Sequence, residues 1–194
     1  MEKGLVQAVD LDLIRTARIL AYAAHDGTKR KYSDAPYFVH PERIAKRAEA
    51  MGLPDFVVAA CYGHDIDEDC EDYYRDLLRL LLPEETVYLI GELTNVSRLH
   101  PELPRHKRKE MDRLHLSLAS YYAKVLKFLD RIDNIRDMVD ADKGFLEKYV
   151  GETMLLKNAL LEGDPDELLC RLALELKQAV FDTQLAAMRK SLHA

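Results

Sequence analysis

Five ionisable side chains fall within Gly63-His64-Asp65-Ile66-Asp67-Glu68-Asp69, directly after the apolar run Phe56-Val57-Val58-Ala59-Ala60-Cys61-Tyr62. If residues 56–69 form largely one helix at about 100° per residue, His64 and Glu68 share one face, and Asp65 and Asp69 share its neighbour. Carboxylates packed this closely disfavour one another's ionisation, and burial makes that worse unless something positive sits against them. A divalent cation is the simplest partner. Imidazole nitrogen with carboxylate oxygen suits Mn²⁺, Fe²⁺, Co²⁺ or Zn²⁺ better than Mg²⁺ or Ca²⁺, which favour all-oxygen shells. The same stretch could instead be an acidic helix end in water.

Two further segments could complete a metal site. Tyr37-Phe38-Val39-His40-Pro41 puts a histidine at a helix start, where Pro41 fixes the backbone and the imidazole can point into a cleft. Asp130, Asp133, Asn134 and Asp137 recur at spacings of three and four on one helical face, while Leu126, Leu129, Ile132 and Ile135 cover another. Water would accommodate Asp133, Arg136 and Asp137. Asp130 follows Phe128-Leu129 at the edge of the apolar stripe, where a charge needs a partner.

These residues must be carried by helices, because apolar spacings of three and four dominate the chain and no useful strand alternation competes. Segments are expected over 11–24, from Pro41 to Ala50 with a stop at Gly52, over 56–69, over 72–82, and from Pro83 to about Asn95. Three more are expected over 110–139 with a break near Ser120, over 143–161, and over 167–192. The expectation is an all-α bundle of about eight helices with one metal site. Residues 1–194 read as a single domain, on which the helix of 163–194 packs. Leu168, Leu169, Leu172, Leu176, Val180 and Leu185 on that helix could serve the chain's own core or join two copies into a homo-oligomer.

The formal net charge of −6 gives no general attraction to nucleic acid or to anionic lipid, so phosphate must be met by a local basic patch. Lys29-Arg30-Lys31 in the turn-rich segment Gly27 to Pro36 is one such patch, and Arg105-His106-Lys107-Arg108-Lys109 is a second that could face the cleft or water. No apolar run approaches a membrane span, the first residues do not resemble a signal peptide, and Cys61, Cys70 and Cys170 form no CxxC pair. The expected location is the cytoplasm, with no membrane or nucleic-acid partner.

The basic segment before Pro36-Tyr37-x-x-His40-Pro41, the run His64-Asp65-x-x-Glu68-Asp69, and Lys127-x-x-Asp130-Arg131-x-x-Asn134 together resemble the HD hydrolase domain of the Rel/SpoT alarmone family. The likeness covers roughly residues 13–156 and is greatest to the small single-domain members that only hydrolyse. It implies a metal, usually Mn²⁺, on His40, His64, Asp65 and Asp130, with Fe²⁺, Co²⁺ or Zn²⁺ as alternatives. It implies a catalytic acidic pair, Glu68 and Asp69, and a nucleotide contact at Asn134. Lys29, Arg30 and Lys31 match the family's nucleotide-binding basic residues as a group, and Tyr149 with Glu152-Thr153 resembles a later stretch near the nucleotide.

The implied reaction removes the 3′-diphosphate of guanosine tetra- or pentaphosphate, giving GDP or GTP and pyrophosphate. The residues after Gly163 read as one turn and one helix, too little for a synthetase region. Alternatives are an HD phosphohydrolase for another nucleotide (a nucleoside monophosphate, a dNTP or the 2′-phosphate of NADPH) and a nucleotide sensor without turnover. The chain departs from the family pattern at Gly63, where a bulky residue is usual, at Cys70, usually threonine, and at Asp133, usually His or Tyr. Asp133 is expected to add negative charge beside a site for an anionic substrate. Joint coordination also requires Asp130 within about 6 Å of the His64 imidazole.

Overall fold

A computed structural model describes residues 12–192. Among these the regular structure is helical apart from one isolated antiparallel bridge between Lys29 and Pro36. The helices are α1 (Leu13–Ala24), α2 (Val39–Ala50), α3 (Asp55–Gly63), α4 (Ile66–Asp69), α5 (Asp72–Leu81), α6 (Glu84–Leu93), α7 (Arg105–Ser117), α8 (Tyr121–Arg136), α9 (Lys143–Leu160) and α10 (Glu167–Ser191), with 3₁₀ turns at Val96–Leu99 and Asp137–Asp140. The all-α bundle expected from periodicity is what forms. Position 11 of the expected first helix lies outside the described residues.

Local chemistry accounts for most boundaries. Asp12, Ser120, Asp142 and Asp166 each accept a hydrogen bond from the backbone N–H three residues on, at the starts of α1, α8, α9 and α10. At the end of α2, Gly52 takes φ +70°, its N–H donates to Glu49 and that of Leu53 donates to Ala48. This is a Schellman stop, which needs the left-handed backbone that glycine adopts without strain.

One expected break forms and one unexpected break appears. The helix expected over 110–139 breaks at Leu118-Ala119, because the Ser120 N–H and Oγ both donate to the Glu92 carboxylate and set a new helix start. Its first half also begins earlier, at Arg105, so the basic cluster is helical. The segment over 56–69 breaks at His64-Asp65. There His64 Nδ1 donates to the Cys61 carbonyl at 2.8 Å, and the Asp65 carbonyl accepts from the N–H groups of Glu68 and Asp69 to begin α4.

α3 and α8 form the buried centre. Every residue from Val57 to Gly63 is buried, as are Val125, Leu126, Phe128, Leu129, Ile132 and Ile135. α1 and α2 pack on α3, α2 also lies on α8, and α10 covers α8 from the other side. Leu169, Leu172, Leu176 and Val180 of α10 are buried in this chain's own core, and Leu168 packs at its edge. No described helix is long and apolar enough to cross a membrane.

Candidate active site

His40 at the start of α2, His64-Asp65 at the α3–α4 break and Asp130 in mid-α8 come from separate elements and meet. His40 Nε2 lies 3.5 Å from Asp65 Oδ2 and 3.4 Å from Asp130 Oδ1. His64 Nε2 lies 3.3 Å from Asp65 Oδ2 and 4.0 Å from Asp130 Oδ1, inside the limit that shared coordination sets. Ligands bonded at about 2.0–2.2 Å to one ion stand roughly 3–4 Å apart, as these four histidine–carboxylate pairs do; His40, His64 and Asp65 form the group whose donor atoms all lie within 4.8 Å of one another, with Asp130 beside it.

Both imidazoles are almost wholly buried, and neither Nε2 has a hydrogen-bond partner. Each Nδ1 is engaged, with the Cys61 carbonyl for His64 and with Asp133 Oδ2 at 2.6 Å for His40. Carbonyls and carboxylates only accept, so each Nδ1 carries hydrogen and each Nε2 is left for another ligand. Two orphaned buried nitrogens facing two carboxylates fit a divalent cation of the Mn²⁺, Fe²⁺, Co²⁺ or Zn²⁺ kind. The electrostatics favour positive charge here, carried by a proton on His40 where no cation takes its place. Burial opposes protonation of His40, yet Asp130, Asp133 and Asp65 outweigh it and push the imidazole up to about 9. Asp130 is held well below the carboxylate range despite its burial, chiefly by Lys127, whose Nζ lies 3.0 Å away, and by His40.

Next to this cage, a cavity of about 210 Å³ is lined by Tyr37, Asp65, Glu68, Asn95, Arg105, Lys109, Lys127, Asp130, Arg131, Asn134, Tyr149 and Glu152. Glu68 is held there by Asn95, whose backbone N–H and Nδ2 donate to its carboxylate at 2.6–2.8 Å. Asp69 is the more solvated of the acidic pair, 3.4 Å from the Tyr37 hydroxyl. Partial burial first, then Asp65 and Glu68, push its carboxyl up to about 6. The Tyr37 hydroxyl also donates to Asp65 at 2.7 Å, and burial among carboxylates raises its pKa so that it stays a donor.

The basic segment is spread over two directions by the 29–36 bridge, since neighbouring residues in extended backbone point oppositely. Arg30 turns inward, stacked 5.2 Å from the Tyr37 ring centroid, with Nε on Asp137 at 2.8 Å and Nη2 on Asn134 at 2.7 Å. Lys29 pairs with Asp34 in solvent. Lys31 lies 4.7 Å over Phe145, at the edge of a second cavity of about 270 Å³ that shares Tyr37, Asn134 and Tyr149 with the first. Asn134 bridges Arg30 to Asp130, and Tyr149 stacks against Arg131. Of the second basic cluster, Arg105 and Lys109 face the cleft. Arg105 forms a two-point pair with Glu152 at 2.7 and 2.8 Å, and burial lowers the pKa of Lys109.

Asn95, Tyr37, Arg43 and Arg131 carry parts of the site that the sequence reading did not assign. For Tyr37 and Arg131 the signal was present, since both lie inside quoted motifs. For Asn95 and Arg43 no local pattern exists. Asp133, expected to add negative charge beside the site, is instead neutralised, because it is taken up by His40 and by Arg43, whose Nε and Nη2 reach it at 2.7 Å each. Gly63 admits a close seam: a Cβ there would come 2.7 Å from Ile90 Cδ1 and 3.3 Å from Leu78 Cδ1. Cys70 Sγ packs 3.6 Å from His25 Nδ1, and the His25 ring lies 4.6 Å from that of Tyr37.

No family model matches the chain. A probable guanosine-3′,5′-bis(diphosphate) 3′-pyrophosphohydrolase of Synechocystis is 30% identical over 128 residues, 65% of this chain and 17% of that protein. The guanosine-3′,5′-bis(diphosphate) 3′-pyrophosphohydrolase MESH1 of Xenopus tropicalis is 27% identical over 158 residues, covering 79% of this chain and 86% of the relative. A solved structure, described as a metazoan ortholog of SpoT that hydrolyzes ppGpp, superposes with a TM-score of 0.69 at 21% identity over 88% of this chain and 94% of its own. The resemblance to the Rel/SpoT HD hydrolase domain holds. The chain spans less than a fifth of the first curated relatives it matches, whereas it spans most of MESH1. In the fold shared with that structure, the two-histidine, two-carboxylate cage sits at the start of α2, at the end of α3 and in mid-α8, with the polar cavity beside it.

Proposed function

We propose that this chain is a divalent-metal-dependent phosphohydrolase of the cytoplasm that removes the 3′-diphosphate of guanosine 3′,5′-bis(diphosphate) or its pentaphosphate. Residues 12–192 act as one domain, with His40, His64, Asp65 and Asp130 as metal ligands and Mn²⁺ as the resident ion. One observation carries the reading: two buried, unpartnered imidazole nitrogens face two carboxylates at the mouth of a cavity lined by both acids and bases. The curated relatives named for this reaction support the choice of substrate.

A divalent ion held there would supply positive charge to the scissile phosphate and lower the pKa of a nearby water. In the reaction, a water oxygen bonds to the phosphorus on the ribose 3′-oxygen and the P–O3′ bond breaks. The 3′-oxygen leaves with a proton, giving GDP or GTP and pyrophosphate. Glu68, fixed as an acceptor by Asn95, takes the water's proton, and Asp69, poised near pH 6, is suited to return one. Arg131 offers charge to the phosphates, since Lys127, Arg105 and Lys109 are already committed to Asp130, Glu152 and Asp112. The adjoining aromatic cavity, with Lys31, Phe145 and Tyr149, has the flat surfaces and cation on which a purine stacks. Lys29, Arg30, Lys31, Asn134 and Tyr149 complete the proposed nucleotide contacts.

The test is a product assay with Mn²⁺ on a nucleotide panel, with the metal content of the purified protein measured in parallel. Pyrophosphate released only from guanosine 3′-diphosphates is expected. Orthophosphate from nucleoside monophosphates or NADPH, or triphosphate from dNTPs, would assign another substrate. Nucleotide binding that is tight but without turnover in both the wild type and Glu68→Ala would make the chain a sensor.

A further inference from the structure

His40 approaches the cage on a residue pair that no part of the reaction requires. Its Nδ1 sits 2.6 Å from Asp133 Oδ2, and Arg43 grips the same carboxylate with Nε on Oδ1 and Nη2 on Oδ2, each at 2.7 Å. Resting on the metal-site reading above, we propose that Asp133, clamped by Arg43, is the positioning residue that makes His40 a metal ligand.

A buried imidazole can place its hydrogen on either nitrogen. Asp133 accepts from Nδ1, so the proton stays there and Nε2 remains open toward Asp65 and Asp130. Without that acceptor, the hydrogen can move to Nε2 and donate to Asp130 Oδ1, only 3.4 Å away. That bridge would occupy the atoms a cation needs. Carboxylates placed behind ligating histidines are a general device for fixing the tautomer and raising ligand basicity, and their loss costs about 10- to 100-fold in metal affinity.

Arg43 solves the problem that Asp133 creates. An unpaired carboxylate this close to Asp130 would add to the cage's negative charge, and its side chain is only 13% exposed. The guanidinium offers a two-point fork that fits the carboxylate and holds its plane. The same Nη2 reaches Asp137 at 2.9 Å, and Asp137 takes Arg30 Nε at 2.8 Å. Arg30 holds Asn134, and Asn134 donates to Asp130. One continuous series of hydrogen bonds therefore runs from His40 to Asp130.

The experiment titrates Mn²⁺ into the chelator-stripped full chain and records the melting temperature of each metal-free form. Asp133→Ala is expected to weaken Mn²⁺ binding about 10- to 100-fold. Asp133→Asn, whose amide oxygen still accepts from Nδ1, should recover part of that loss and also serves if the alanine variant fails to fold. Arg43→Ala should weaken binding by less than Asp133→Ala, and the double variant should be no worse than Asp133→Ala alone. An Asp133→Ala protein that melts lower but binds Mn²⁺ within twofold of wild type would reduce Asp133 to a structural role and overturn the proposal. So would an Asp133→Asn protein that recovers none of the affinity. A wild type that binds none of Mn²⁺, Fe²⁺, Co²⁺ or Zn²⁺ would instead overturn the metal-site reading itself.

Discussion

Two of the cavities among the described residues are of opposite character and lie at different places in the bundle. The larger, about 650 Å³, lies between the start of α9 and the end of α10, with Leu146, Ala187, Met188 and Leu192 among its lining residues. The smaller, about 210 Å³, lies beside the His40–His64–Asp65–Asp130 cage and is lined almost wholly by polar groups. Size favours the first, and chemistry favours the second. In the larger cavity the charged neighbours are surface residues such as Asp140 and Lys190, which pair with each other. Beside the smaller, the buried Nε2 atoms of His40 and His64 are left without partners, His40 is pushed above its ordinary pKa and Asp130 is held well below its own. Uncompensated polarity at a buried place is costly to maintain, and that cost identifies a site better than empty volume does.

The largest effect that could break this contrast is expected from Asp130→Ala. It should abolish Mn²⁺ uptake and lower hydrolysis by on the order of 10³-fold or more. A variant that kept both would remove the chemical distinction between the two cavities.

Glu68→Gln keeps the shape of the smaller cavity and removes only a proton acceptor. Turnover should fall about 10²- to 10⁴-fold while Mn²⁺ remains bound, as read by steady-state kinetics beside metal analysis.

Acid stability gives a third comparison. Burial, with help from His64 and His40, depresses His25 from 6.5 to about 4, against an opposing pull from Asp65. The folded chain therefore refuses a proton that the unfolded chain accepts. This contribution to stability is whole above about pH 6.5, declines as the pH falls toward 4, and changes no further below that. Melting temperatures of wild type and His25→Gln measured from pH 7 to 4 should converge as the pH falls, and parallel curves would contradict the assignment.

The smallest effect belongs to the larger cavity. Met188 is 62% exposed, so Met188→Ala should leave kinetics unchanged and shift stability by no more than about 0.5 kcal/mol. A loss of activity there would show that the two regions are coupled.

Much of this was legible in the residue order. His64-Asp65 and Glu68-Asp69 are near neighbours, Asp130 and Asn134 are one helical turn apart, and the apolar spacing around them reads directly as buried helix. Capping residues such as Asp12, Asp142 and Asp166 mark their boundaries in the same local way, because the hydrogen bonds they make span three residues. The helix break at His64 was not legible, since a ring nitrogen competes with the backbone only once the packing of α3 has turned it inward.

By itself the sequence determined the helical class, the order of the segments and the residue types able to hold a cation or move a proton, because each depends on contacts a turn or two long. Tertiary structure alone decided which of those residues are held and by what. The Asn95 amide found Glu68 across 27 positions, and the Arg43 guanidinium found Asp133 across 90. No periodicity encodes such pairings. They arise when the burial of α3 and α8 brings separate helices together and leaves each charge to find its nearest partner.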